Sequence, residues 1–381
     1  MTITPMTATR PATFLDRIGR MHWLMITLLC AIAAVGVLMH FSVTDGDWSG
    51  RPVEHATRFL VILGLVLAAA MLLEPRFWKA IAYPVYFGSL LLLVAVELVG
   101  ETQKGAQRWL DLGFISLQPS EIMKIGIVLA LARYYEKLDA RSSGSPWVLI
   151  PPLLMIAAPT ALVMHQPDLG TSLLIAGSGG GVMFLAGLRM RYILGAIALA
   201  VPTAVLSYFF ALKEYQRQRV ITFLNPDADP LGAGYHQLQS RIAVGAAGVF
   251  GQGYGEGPQS QLNFLPEKHT DFIFTMIVEE FGLIGAFLVL FLFGWLLTLV
   301  LRVSEQAKTF GYLAAGGVAV TLALYVLMNT AMVVGLVPVV GIPLPLVSFG
   351  GTAMLTIMVG MALVLSIHLG RDSGGRSFRV R

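Results

Sequence analysis

Glu121 and Lys124 stand three residues apart at the start of an apolar run, so a helix there carries both on one face. Arg108 and Trp109 lie a little before them, and Asp168 closes the turn His165-Gln166-Pro167 ahead of another apolar run. Arg217, Arg219, Arg241, Lys268, His269 and Asp271 follow in one long connection, and Glu279 and Glu280 stand side by side just beyond it. Ionisable groups near hydrocarbon are costly and mark function more often than ornament. Here they gather at the ends of apolar runs rather than along a midplane path. Acids and bases converging beside a membrane suit an anionic, lipid-linked substrate. Spacing alone leaves blander readings in place. Glu121 and Lys124 also fit a salt bridge that lets two charges sit near lipid. Asp168 and Asp271 each precede a helix as an N-cap does, and Trp109 fits an interfacial belt.

The elements that position these residues are long apolar runs. The chain has 381 residues, of which 56% are hydrophobic and 13% charged, and its mean hydropathy is +0.74. Soluble domains carry about twice that share of charge, and each helical crossing of a bilayer takes about 20 apolar residues. Runs of that kind cover 23–41, 56–73, 81–99, 119–135, 147–164, 171–188, 192–212, 272–301, 309–336 and 346–369. The fold class expected is therefore an all-α, polytopic membrane protein of about ten transmembrane helices. The first run lacks a small-x-small cleavage site and reads as a retained helix. The single cysteine, Cys30, excludes an intramolecular disulfide and a thiolate metal cluster. The glycine patch 177–181 reads as a site of close helix packing.

Ten crossings put both termini on one side, and the basic residues decide which. Sixteen of the twenty-six lysines and arginines fall in one alternate set of connections, while sixteen of the twenty-two acids fall in the other. Both termini are thus expected in the cytoplasm, with 1–22 and the basic 371–381 as tails and 23–370 as one transmembrane domain. The long outer connection, 213–270, has apolar content at helix-like spacing and reads as short amphipathic helices at the interface. Its segment 245–257 is glycine-rich, which suits tight turns and close backbone approach. The eighth run, 272–301, would be a helix of about 45 Å. Its first turns would stand above the hydrocarbon and place Glu279 and Glu280 at the interface.

Several segments together are specific enough for a family. They are Arg108-Trp109-Leu110, Gln118-Pro119-Ser120-Glu121-Ile122-Met123-Lys124 and Gln166-Pro167-Asp168-Leu169-Gly170-Thr171, then 216–226 and 229–235. Last come Asn263 through Phe274, Glu279-Glu280-Phe281-Gly282, and 341–351 with Pro343-Leu344-Pro345-Leu346-Val347-Ser348-Phe349. In this order the chain resembles the SEDS proteins (shape, elongation, division, sporulation) over nearly its whole length. The wording of 258–264 is similar to the elongation type, and Thr352 departs from a position where the family more often has serine.

The resemblance implies a peptidoglycan glycosyltransferase that joins lipid II units outside the bacterial cytoplasmic membrane and releases undecaprenyl diphosphate. It matches Asp271 to the family's essential aspartate, here the candidate general base. It also matches Glu121, Lys124, Trp109 and Asp168 to family positions. Arg217, Arg219, Arg241, Lys268 and Lys124 are the cations available to a diphosphate, with Arg108, His269, Glu279, Glu280 and Ser348 in support. The implied partners are lipid II, the growing lipid-linked strand, a class B penicillin-binding transpeptidase and other membrane proteins of the elongation machinery. No nucleic-acid partner is expected. No cofactor is evident, although a divalent cation held partly by the diphosphate stays open. A division-type enzyme and a lipid II transporter are the alternatives. A transporter would show paired repeats and midplane charge, and the sequence has neither.

Overall fold

A computed structural model describes residues 14–103, 106–111, 116–138, 146–192, 233–261, 265 and 267–370, with isolated positions between 193 and 232. A short α1 (Phe14–Gly19) precedes α2 (Trp23–Val43), α3 (Arg51–Leu72), α4 (Pro75–Val99), α5 (Pro119–Glu136), α6 (Pro146–His165) and α7 (Leu169–Leu185). After the long connection, with α8 (Ala233–Ala246) and the single turn α9 (Pro258–Gln261), come α10 (Ile273–Glu305), α11 (Thr309–Val333) and α12 (Gly351–Leu369). Nine of the ten expected spans therefore stand as helices among the described residues. The seventh, 192–212, lies largely outside them. Seven helices are long and apolar enough to cross a membrane by length and composition.

Burial separates centre from periphery. In α11 and α12, 72% of the most apolar stretch is buried, against 22% in α3 and α6. Exposed leucines and phenylalanines on the outer helices are what a lipid solvent permits. The small residues of α7 let α11 approach closely, as the glycine patch implied. A Cβ built on Gly181 would lie 2.4 Å from Val320, and one on Gly177 would lie 2.7 Å from Leu324.

Two features depart from a plain helix bundle. The connection between α4 and α5 folds as an antiparallel sheet in the order β1 (Glu101–Gln103), β2 (Ala106–Asp111), β3 (Ser116–Leu117). It holds Arg108 and Trp109 on its middle strand. The eighth span is not one straight rod, because α10 breaks at Gly282, whose φ of 65° and ψ of −157° only glycine adopts freely. The glycine-rich segment supplies the hydrogen bonds the break requires. Gln252 N donates to Glu279 O (2.8 Å) and Gly253 N to Glu280 O (3.2 Å), while Leu283 N and Ile284 N donate to Gly248 O and Val249 O. A Cβ on Gly251 would lie 2.2 Å from Glu280 O, so the close backbone approach expected of 245–257 occurs here.

Candidate active site

The N-terminal starts of α5 and α7, the β2 strand and the 341–343 turn enclose a polar chamber of about 270 Å³. Arg108, Trp109, Gln118, Glu121, Lys124, Asp168, Tyr325, Gly341 and Thr352 are among the residues that line it. Glu121 and Lys124 share a helix face as their spacing required. Lys124 Nζ donates to Glu121 Oε1 at 2.8 Å and also to the Tyr325 hydroxyl, which itself donates to Glu121 Oε2 at 3.1 Å. Thr356 Oγ1 of α12 adds a bond to Glu121 Oε2 at 2.6 Å. Lys124 is 1% exposed, and an ammonium so buried requires such a cage. The salt bridge is real, and it faces the chamber.

Asp168 combines two roles. Its Oδ1 accepts from Thr171 N at 3.0 Å and caps α7, while Oδ2 pairs with Arg108 at 3.5 Å. Arg108 also donates to the carbonyls of Gln166 and Pro167, so the β2 strand is pinned to the α6–α7 turn.

Asp271 lies at the chamber rim on irregular backbone. Phe272 takes the N-cap position of α10, and no side chain caps it. Two buried groups hold the segment instead. Ser348 Oγ donates to Thr270 O (2.6 Å) and accepts from Leu344 N (2.7 Å). Asn329 Nδ2 donates to Asp271 O (2.8 Å) and to Ile342 O (2.7 Å). Gly341, which lines the chamber, has φ of 70°, and a Cβ built on it would lie 3.6 Å from Asp271 Oδ2. That glycine brings the chamber wall into van der Waals reach of the carboxylate.

A second polar cluster packs behind the Asp271 segment. Glu279 and Glu280 are turned into the protein. They are buried, because the break at Gly282 and the 248–257 loop cover them. Glu279 Oε1 accepts from Gln259 N at 2.8 Å, and Glu280 Oε1 accepts from Ser42 Oγ of α2. Lys268 is buried near both acids and Asp45. Burial lowers its pKa, Arg51 lowers it further, and the three acids oppose the shift. His269 contacts Arg51, and burial together with the Arg51 and Lys268 charges pushes its imidazole down to about 4. Lys268 and His269 thus support the Asp271 turn from behind and do not line the chamber.

The outer-loop arginines are not gathered there either. Arg241, on α8, lays its stem against Gly335, and Arg217 Nη2 donates to Phe209 O at 2.8 Å. Arg219 lies outside the described residues. Of the expected diphosphate cations that lie among the described residues, only Lys124 lines the chamber, and Arg108, expected in a supporting role, lines it too. Tyr325, Asn329 and Thr356 escaped the sequence reading. A signal for two of them was available, since Tyr325 and Asn329 are polar residues four apart in an otherwise apolar helix.

An apolar groove of about 240 Å³ adjoins the chamber. It is lined by Trp78, Ile81 and Val85 of α4, by Ile122, Ile125 and Leu129 of α5, and by Leu355, Thr356 and Val359 of α12. Gln118, Glu121 and Thr352 belong to both spaces. From Glu121 to Leu129 the groove follows α5 for about 12 Å at 1.5 Å per residue. Leu355 on its rim is exposed.

Comparison with known proteins agrees with this architecture. The sequence profile FTSW_RODA_SPOVE, described as cell cycle protein, matches residues 20–372. The chain is 43% identical over 369 residues to the peptidoglycan glycosyltransferase MrdB of Escherichia coli, covering 96% of this chain and 98% of that one. It is 34% identical over 364 residues to a probable peptidoglycan glycosyltransferase FtsW of Trichlorobacter lovleyi, covering 93% and 94%. A chain from a structure described as the coordination of polymerization and crosslinking by a peptidoglycan synthase complex superposes with a TM-score of 0.77. It is 34% identical, and the match covers 93% of this chain and 99% of that one. The rod shape determining protein RodA of Thermus thermophilus superposes with a TM-score of 0.66 at 30% identity, over 92% and 97%. A bundle of this topology, with its polar chamber and family-wide match, belongs to the FtsW/RodA/SpoVE (SEDS) family of cell cycle proteins.

Proposed function

We propose that this chain is a peptidoglycan glycosyltransferase that polymerises lipid II into glycan strands for cell elongation and rod shape. The observation that carries the reading is that the polar chamber and the apolar groove adjoin, sharing Gln118, Glu121 and Thr352, with Asp271 beside the chamber residue Gly341. A lipid-linked sugar needs both spaces, one for the diphosphate and sugars and one for the polyprenyl chain. The higher identity to MrdB than to FtsW favours the elongation type.

In this reading the 4-hydroxyl of an N-acetylglucosamine attacks the anomeric carbon of N-acetylmuramic acid in a second molecule. Asp271 takes the hydroxyl proton as the new C–O bond forms. The bond to the diphosphate breaks, and undecaprenyl diphosphate leaves with the electron pair. An α-linked donor giving a β-linked product requires one inversion, so no second, nucleophilic carboxylate is needed. Lys124 and Arg108 are the chamber cations that face the diphosphate oxygens, each held in place by its own carboxylate. Trp109 offers an aromatic wall to a sugar. A divalent cation would arrive with the diphosphate.

The charge bias supports cytoplasmic termini and a site on the extracytoplasmic face. A class B penicillin-binding transpeptidase is the partner we assign. The neighbour from a peptidoglycan synthase complex supports that assignment. The test is polymerisation of lipid II by the purified protein in detergent, where transport across a bilayer has no meaning. Wild type should yield glycan polymer. Asp271→Asn should yield none while eluting and melting like wild type, and polymer from that variant would refute Asp271 as the base.

A further inference from the structure

Helix α11 carries Thr321, Tyr325 and Asn329 at intervals of four, one above another on a single face. All three are buried, and each makes a contact to a different neighbour. Thr321 Oγ1 donates to Ser178 Oγ of α7 at 2.9 Å, Tyr325 holds the Glu121–Lys124 pair, and Asn329 holds the Asp271 segment. One rigid helix therefore references both halves of the chamber.

Asn329 is the costly member of this row. It is 0% exposed inside an apolar helix, and its Oδ1 is buried without a partner. A buried amide with an unsatisfied acceptor destabilises the fold. Both amide hydrogens are nonetheless used, one on Asp271 O and one on Ile342 O. The first of these carbonyls is not taken up by α10, because Thr275 N and Met276 N both go to Phe272 O. The second lies beside Gly341, the residue next to the Asp271 carboxylate. Asn329 does not itself line the chamber.

We propose that Asn329 is a positioning residue, which fixes the Asp271 carboxylate against the 341–343 wall and at a set distance from the Glu121–Lys124–Tyr325 cluster. The inference rests on the reading of Asp271 as the base. Displacing a reacting group by about 1 Å costs up to about a hundredfold in rate, so loss of these two bonds should appear in kcat and leave KM for lipid II unchanged.

The experiment compares Asn329→Leu, Asn329→Asp and Asp271→Asn in the purified lipid II assay, with melting temperatures measured on the same samples. Leucine has the same branching and removes the orphaned acceptor, but it leaves the carbonyls of Asp271 and Ile342 without their donor. Asn329→Leu should therefore melt somewhat below wild type and still fold, while kcat per folded molecule falls between about tenfold and a hundredfold. Asn329→Asp, isosteric but unable to donate when ionised, should show the same kcat loss together with a lower melting temperature. If Asn329→Leu does not accumulate, Asn329→Ser, which fits the same space, provides the comparison. Wild-type kcat in the folded variants, or a change confined to KM, overturns the positioning role. An inactive Asp271→Asn beside a fully active Asn329→Leu sinks this inference alone. An active Asp271→Asn sinks the base assignment and this inference with it.

Discussion

Glu121 and Asp271 are both carboxylates near the N-terminal starts of long helices, and the protein builds their surroundings by different means. Glu121 sits in regular helix, with both oxygens engaged by Lys124, Tyr325 and Thr356 from three helices. Asp271 sits on irregular backbone, and what is fixed there is the main chain, through Asn329 and Ser348. The first arrangement stores charge in a neutral, rigid pair suited to holding a polar ligand. The second presents a carboxylate from a scaffold that does not consume it as a helix cap.

The comparison can be broken most severely at Asp271, where Asn is expected to abolish polymerisation with the fold intact. Next in size is the opposite side. Glu121→Gln leaves a buried ammonium without its carboxylate, a change that costs about 3–5 kcal/mol. It should lower the melting temperature as well as activity, and exchanging the two charges between 121 and 124 should restore part of the loss. If reversing either charge alone leaves polymerisation and melting unchanged, the pair is decorative. Gly282→Ala should cost about 3 kcal/mol, because a Cβ there would lie 2.3 Å from Val249 O at a φ of 65°. Proteolysis of the 248–257 loop and the melting temperature would both report it.

Ser348→Ala removes two bonds that hold the Asp271 turn. A loss of about 1.4 kcal/mol corresponds to about a tenfold drop in kcat, measurable in the same assay. The smallest effect concerns His269. Its folded pKa of about 4 lies below the ordinary 6.5, so the unfolded chain binds more protons between those values. Stability should be full above pH 6.5 and decline as pH falls towards 4. Melting curves over that range should show a shallower acid decline in His269→Gln than in wild type. An identical slope would remove His269 from the account.

How far the sequence reached differs between the two regions for a physical reason. Glu121 and Lys124 were legible because helical spacing dictates which side chains meet, and the run at 119–135 became a helix at Pro119–Glu136. The helix of the run at 81–99 begins earlier, at Pro75, because its first turn carries Arg76 and Lys79 and escapes a hydropathy window. The break in α10 was hidden, since thirty apolar residues give no record of one glycine at positive φ. Burial of Glu279 and Glu280 under the 248–257 loop followed from that break. The small sheet carrying Trp109 was likewise missed, its strands being too short for an alternating pattern.

By itself the sequence determined the membrane-spanning class, the order of the helices, and the identity of the charged residues at their ends. Those properties depend on composition and on spacing within one element. Only the tertiary structure decided which charges share a chamber, that an apolar groove adjoins it, and that Tyr325 and Asn329 reference both halves to one helix. Such facts depend on contacts between segments far apart in the chain, 58 residues for Asn329 with Asp271 and 204 for Tyr325 with Glu121, which close approach of backbones, rather than local periodicity, brings about.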